Sequence, residues 1–154
     1  MRIAGGVLII VVAVMNLIGG CAYIAGGALV GAAGEVGQAV GEAGGDEAGA
    51  DKVRKEGEKV ADKGGKAVMF GYFKLALAGL EIAAGVVLFM GTAAMLAKVT
   101  ASLEIVNVAI GGTLFFGFGI FSVVGIVAAI LAFVGAQAID TAKAAAIRPP
   151  NPAL

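Results

Sequence analysis

The chain has 154 residues, of which 60% are hydrophobic and 14% charged, and its formal net charge is zero. Soluble domains average about 45–50% apolar and about 25% charged residues, and a chain this short cannot hide the surplus in one core, so lipid is the expected solvent for it. With no histidine and one cysteine, His-based acid–base catalysis, His-ligated zinc or haem, an intrachain disulfide and a Cys-x-x-Cys site are all excluded, and no basic face with interleaved aromatics points to nucleic acid.

Arg2 is followed by an uncharged run from Ile3 to Gly34. A bilayer core of about 30 Å needs roughly 20 helical residues, so this run predicts one span, at about residues 4–31. It contains the single cysteine, in "NLIGGCAYIAGG". Ile18, Gly19 and Gly20 before Cys21, with Arg2 and an apolar stretch upstream, resemble a bacterial lipoprotein signal. That resemblance implies cleavage and lipidation at Cys21. The apolar run continues past the cysteine, through "AYIAGGALVGAAG", where a mature lipoprotein begins with a polar tether. The expectation is therefore that Cys21 is a small packing residue inside a retained helix. Gly27 and Gly31 form a Gly-x-x-x-Gly pair for close helix contact.

Residues Glu35 to Lys66 carry eight acidic and six basic side chains. Their first part is small and sparsely charged, and reads as a continuation of helix one. The second part offers Asp51–Lys55, Lys52–Glu56, Arg54–Glu58 and Asp62–Lys66 at i,i+4, pairs that support a solvated helix. Only Val53 and Val60 offer an apolar stripe, so a short exposed helix and disorder stand level.

From Ala67 to Ile139 the only charges are Lys74, Glu81, Lys98 and Glu104. The length allows three spans, placed at about 69–97, 101–117 and 119–139. One break is expected near "AKVTAS", at Lys98, Thr100 and Ser102; the other is expected near "FFGFGIF", at Gly117 and Gly119. A rival division cuts at Gly91 and at Gly111–Gly112. It puts Glu104 deep in the bilayer, at about 2.5–3.5 kcal/mol on insertion scales, and the first division is preferred for that reason. Phe70, Tyr72 and Phe73 read as interfacial anchors. A Pro-broken tail, "RPPNPAL", ends the chain.

The expected fold is an all-α integral membrane protein, a four-helix transmembrane bundle with one polar loop after the first span; three spans are the alternative. The divisions are 1–34, a first transmembrane helix; 35–66, a polar extramembrane segment; 67–139, three spans; and 140–154, a polar tail.

Two sets of residues are candidates for function. Glu81 and Glu104 are the only acidic groups within the apolar regions, in the similar strings "AGLEI" and "ASLEI". Lys74, Ala78, Glu81 and Gly85 share one helix face, and Thr100, Glu104, Asn107 and Gly111 share another. An intramembrane carboxylate is a functional candidate by default, here for a proton or cation path through Glu81, Glu104 and Asn107. Small residues at Gly125, Ala129, Ala132 and Ala136, with Gly85 as a matching groove, are suited to close helix packing.

The leading expectation is a non-enzymatic accessory or scaffold subunit, packed through its small-residue helix faces against other transmembrane subunits or copies of itself. A small proton or cation channel or transporter comes second, and a lipid-anchored envelope protein processed at Cys21 third. No cofactor, metal or catalytic group is expected, and the partners are membrane lipids and helices. A bacterial inner membrane with cytoplasmic termini is the expected setting, from Arg2, Lys98, Lys143 and Arg148.

Overall fold

The computed structural model describes residues 2–43, 47–113 and 119–147. Four helices run in chain order: α1 Arg2–Ala43, α2 Glu47–Met90, α3 Ala94–Gly111 and α4 Ile120–Ile147. Each is long and apolar enough to cross a membrane. The protein is an all-α, four-helix membrane protein, and the three-span alternative falls away.

Charge does not end the first two helices. α1 has 42 residues and α2 has 44, so at 1.5 Å per residue they measure about 63 Å and about 66 Å. That is roughly twice the hydrocarbon thickness of about 30 Å. Of the stretch from Glu35 to Lys66, residues 35–43 and 47–66 are helix. Two of the four expected ion pairs form, Lys55–Asp51 and Lys66–Asp62, each at 2.6 Å. Arg54 turns back to Asp51 at 3.3 Å and makes no bridge forward to Glu58. The Lys55 ammonium, hydrogen-bonded to Asp51 and helped by Arg54, holds that carboxyl below its ordinary range.

The preferred division of the later spans is corrected. α2 ends at Met90, and Gly91 has φ +68°. The Gly91 and Thr92 amides both donate to the Val87 carbonyl, at 2.9 and 3.2 Å. This is a glycine-dependent helix stop in which the second residue past the cap closes back over the last turn. "AKVTAS" lies inside α3, where Ser102 Oγ donates to the Lys98 carbonyl at 3.0 Å. The division at Gly91 and Gly111–Gly112 is therefore the one adopted, and Glu104 is deep. The expected turn at Gly117 lies outside the described residues. Gly119 stands just before α4, its carbonyl accepting from Ser122 and Val123 at 3.0 and 3.3 Å.

The chain divides into two units. The first comprises residues 1–15 and 77–154, and the second residues 16–76. The first unit is a four-helix bundle of the start of α1, the end of α2, and α3 and α4. Ile9, Leu88, Ala97, Ala101, Ala132 and Ala136 belong to its core. Ile3, Val7, Val14, Met95, Ile120 and Phe121 face outwards, an apolar exterior suited to lipid. The second unit is a helical hairpin, the rest of α1 paired with the first part of α2.

Candidate functional site

In the second unit, glycine recurs every seven residues on both limbs. On α1 the positions are Gly20, Gly27, Gly34 and Gly41; on α2 they are Gly57, Gly64 and Gly71, with Ala50 one step further. The pairing is antiparallel and keeps step throughout. A side chain added at Gly20 would meet the Gly71 carbonyl oxygen at 2.9 Å, and one at Gly71 would meet the Gly20 oxygen at 2.7 Å. Gly27 and Gly64 oppose each other in the same way, at 2.7 and 2.6 Å, as do Gly34 and Gly57, at 2.7 and 2.8 Å. Gly41 closes the row against the Ala50 carbonyl at 2.9 Å. A seven-residue repeat keeps one stripe facing its partner. Glycine in that stripe lets backbone rest on backbone, where Cα–H groups approach opposing carbonyls.

The same spacing appears in the first unit. Gly6 and Gly85 approach each other, and Ala13 and Ala78 are fully buried. Gly85 packs on Ile10 and Gly6 of α1, which corrects its expected role as a groove for α4. On α4, Gly125, Ala129, Ala132 and Ala136 are all buried. A side chain at Gly5 of α1 would strike the Leu131 carbonyl oxygen of α4 at 2.6 Å. Gly31 plays a different part from Gly27. Its own missing side chain would point into open space, while its backbone forms the wall that Gly64 rests on.

The two buried carboxylates of the first unit lie at one level. Glu81 is fully buried nine residues before the end of α2, and Glu104 is 2% exposed ten residues into α3. At 1.5 Å per residue both stand about 14–15 Å from the α2–α3 turn, half of a hydrocarbon core about 30 Å thick. Asn107 Nδ2 donates to Glu104 Oε2 at 2.8 Å. Glu104 Oε1 occupies the place a side chain on Gly125 would need, 2.5 Å from the position of that Cβ. The glycine on α4 thus makes the space that holds the carboxylate. This bonding and enclosure offset the insertion cost that argued against a deep Glu104.

Thr100 lies one turn before Glu104 on the same face and is fully buried. The hydroxyls of Ser102, Thr113 and Thr141 each donate to a carbonyl four residues back. Thr100 Oγ1 makes no hydrogen bond.

At the turn end of this unit, Lys98 pairs with Asp140 at 2.6 Å and lies 5.9 Å from the Phe133 ring centre. Lys143 donates to the Thr92 carbonyl, and the Arg2 side chain lies against Gly91. In the hairpin unit, Lys74 donates to Asn16 Oδ1 at 2.6 Å and sits over Phe70, whose ring meets Tyr23 edge-on at 5.0 Å. Phe70 is therefore a buried packing residue, while Tyr72 remains exposed. Cys21 is free and exposed on α1, so it is not the packing residue expected; its neighbour Gly20 is. Among the described residues, no group of three or more Cys, Asp or Glu side chains could hold a metal ion.

Compared with models of known protein families, with curated proteins and with solved structures, the chain matches none.

Proposed function

We propose that this protein is a non-enzymatic accessory or scaffold subunit of a bacterial inner membrane that meets its partner through the helical hairpin. The observation that carries this reading is the unbroken step of seven shared by Gly20, Gly27, Gly34 and Gly41 with Gly71, Gly64, Gly57 and Ala50. Such packing makes a thin, stiff pair of helices from residues too small to fill a core. The small-residue faces named above are occupied by contacts within the chain. Partner helices would therefore meet the outward faces, and a soluble partner would meet the charged end between Glu35 and Lys66.

The test uses mild detergent extraction and the mass of the purified particle. Removing residues 35–41 and 50–56 together deletes one repeat from each limb and preserves the register of the rest. The full chain should purify as a defined larger complex. The shortened chain should lose the partner and retain the thermal midpoint of the membrane unit. Retention of the same complex by the shortened chain, or a lone full-length chain in every mild detergent, would refute the proposal.

The cytoplasmic placement of both termini draws support from Arg2, Lys98 and Lys143 at the α2–α3 turn. The six basic residues of the hairpin oppose it. In a Cys21→Ala background, cysteines placed at positions 55 and 145 should label from opposite faces of the membrane. Labelling from one face removes this topology.

A second reading, a proton or cation carrier, takes its support from Glu81 and Glu104 buried at the same depth. Under the scaffold reading, Glu81→Gln leaves assembly intact and no flux is lost. Loss of a measurable flux from reconstituted vesicles, with assembly unchanged, would favour the carrier.

A further inference from the structure

We propose that the hairpin docks on a second copy of this chain, α1 against α1, along the face of α1 turned away from α2. The proposal rests on the reading that the hairpin meets a partner, and it names that partner. The glycine row fixes the levels. Gly27, Gly34 and Gly41 stand against Gly64, Gly57 and Ala50. This length of α1 therefore runs beside a part of α2 whose Lys52, Glu58, Lys59 and Lys63 are exposed. So many charges do not lie in hydrocarbon, which places α1 from 27 to 41 in water. Yet Leu29 is 74%, Val36 63% and Val40 60% exposed there. Single exposed apolar side chains are ordinary, whereas a contiguous row of them marks an interaction surface.

The spacing says what kind of surface fits. Ala22, Leu29, Val36 and Ala43 each stand two residues past a glycine of the row, half-way round the helix from it. Ile18, Ala25, Ala32 and Ala39 alternate with them at steps of four and three, and both sets are exposed. Such spacing is the seam of a two-stranded coil. The seam begins in an apolar zone, because Gly20 opposes Gly71, and α2 has no charge between Lys66 and Lys74. It then enters the charged zone without a change of step. Lipid would cover only its first part and a soluble protein only its second. A second copy brings a helix that crosses the same boundary with the same spacing. Copies inserted alike run parallel, so each seam residue meets its equivalent. Charge agrees with that direction. Between residues 16 and 43 the only charges of α1 are Glu35 and Glu42, both on one flank of the seam. The other flank is Gly19, Gly26, Ala33 and Val40. Parallel helices set one flank against the other, so no glutamate faces a glutamate; an antiparallel pair would bring like charges together.

The test is made on the full chain in its membrane, in a Cys21→Ala background. Ala25→Cys and Val36→Cys, one from each set, should each give a disulfide-linked pair of chains on mild oxidation. Lys59→Cys, on the side of α2 away from α1, should stay single. After mild detergent extraction the wild-type particle should contain two copies. Leu29→Gln combined with Val36→Gln should leave one copy per particle. Both side chains are exposed in the single copy, so the hairpin should keep its resistance to proteolysis. Absence of linkage at 25 and 36, equal linkage at 59, or two copies that survive both glutamines would overturn the pairing. A particle that then holds one copy and a different protein leaves the hairpin reading standing without this proposal. A lone wild-type chain removes both.

Discussion

Gly64→Ala should open the hairpin, while Gly65→Ala, one residue along, should tighten it. A methyl group at position 64 would lie 2.6 Å from the Gly27 carbonyl oxygen and 2.7 Å from the Gly31 Cα. Both obstacles are backbone, so no rotamer change relieves them and the helices must separate. Overpacking costs about 1–3 kcal/mol where side chains can adjust, and here a larger loss is expected. At position 65 nothing lies within 4 Å. There alanine should add roughly 0.4–1 kcal/mol by restricting the unfolded chain and favouring helix. Limited proteolysis between residues 47 and 66 reads both effects, with faster cleavage in the first variant and slower in the second. Equal cleavage of the two variants would mean that the glycine row is not what holds the hairpin.

The second large effect belongs to the α1–α4 contact of the membrane unit. Ala132 is fully buried, and its backbone nitrogen lies 3.1 Å from where a Gly5 side chain would begin. Ala132→Leu puts three more carbons into a closed interface. The variant should lose about 1–3 kcal/mol or more, seen as a lowered thermal midpoint in detergent. Val127 is 43% exposed on the same helix, and Val127→Leu should leave the midpoint unchanged. If both leucines are tolerated alike, α4 does not present its small residues to α1.

The four spans were legible because apolar length is a strong signal in a chain with so few charges. The α2–α3 boundary was harder to place. Lys98, Thr100 and Ser102 look interfacial one by one, yet the stop is made by Gly91, whose left-handed backbone is not visible in a list of glycines. Glu104 was read as too costly to bury, because an insertion scale prices a carboxylate against lipid. It does not include Asn107 as a donor or the space left by Gly125. The glycine row was present in the letters at both sets of positions. Its meaning depends on the antiparallel pairing, since a step of seven on one helix acquires a partner only when the other limb runs back past it. Charge hid the rest: the second part of the segment, before Lys66, left a short exposed helix and disorder level, because the helix there is held by backbone contact and offers almost no apolar stripe.

The glycine contact also has a thermodynamic signature. Most helix pairs bury side-chain carbon, and the water released from it gives unfolding a large positive heat capacity. At Gly27, Gly34, Gly57 and Gly64 the buried atoms are mainly backbone, with carbonyl oxygen beside Cα. Apolar and polar exposure change heat capacity with opposite signs, so the two contributions largely cancel in the solvated part of the hairpin. Its stability should then follow a nearly straight line in temperature, without the weakening on cooling that marks hydrophobic contacts. The hairpin would keep its stiffness in the cold, when an ordinary two-helix coil begins to loosen.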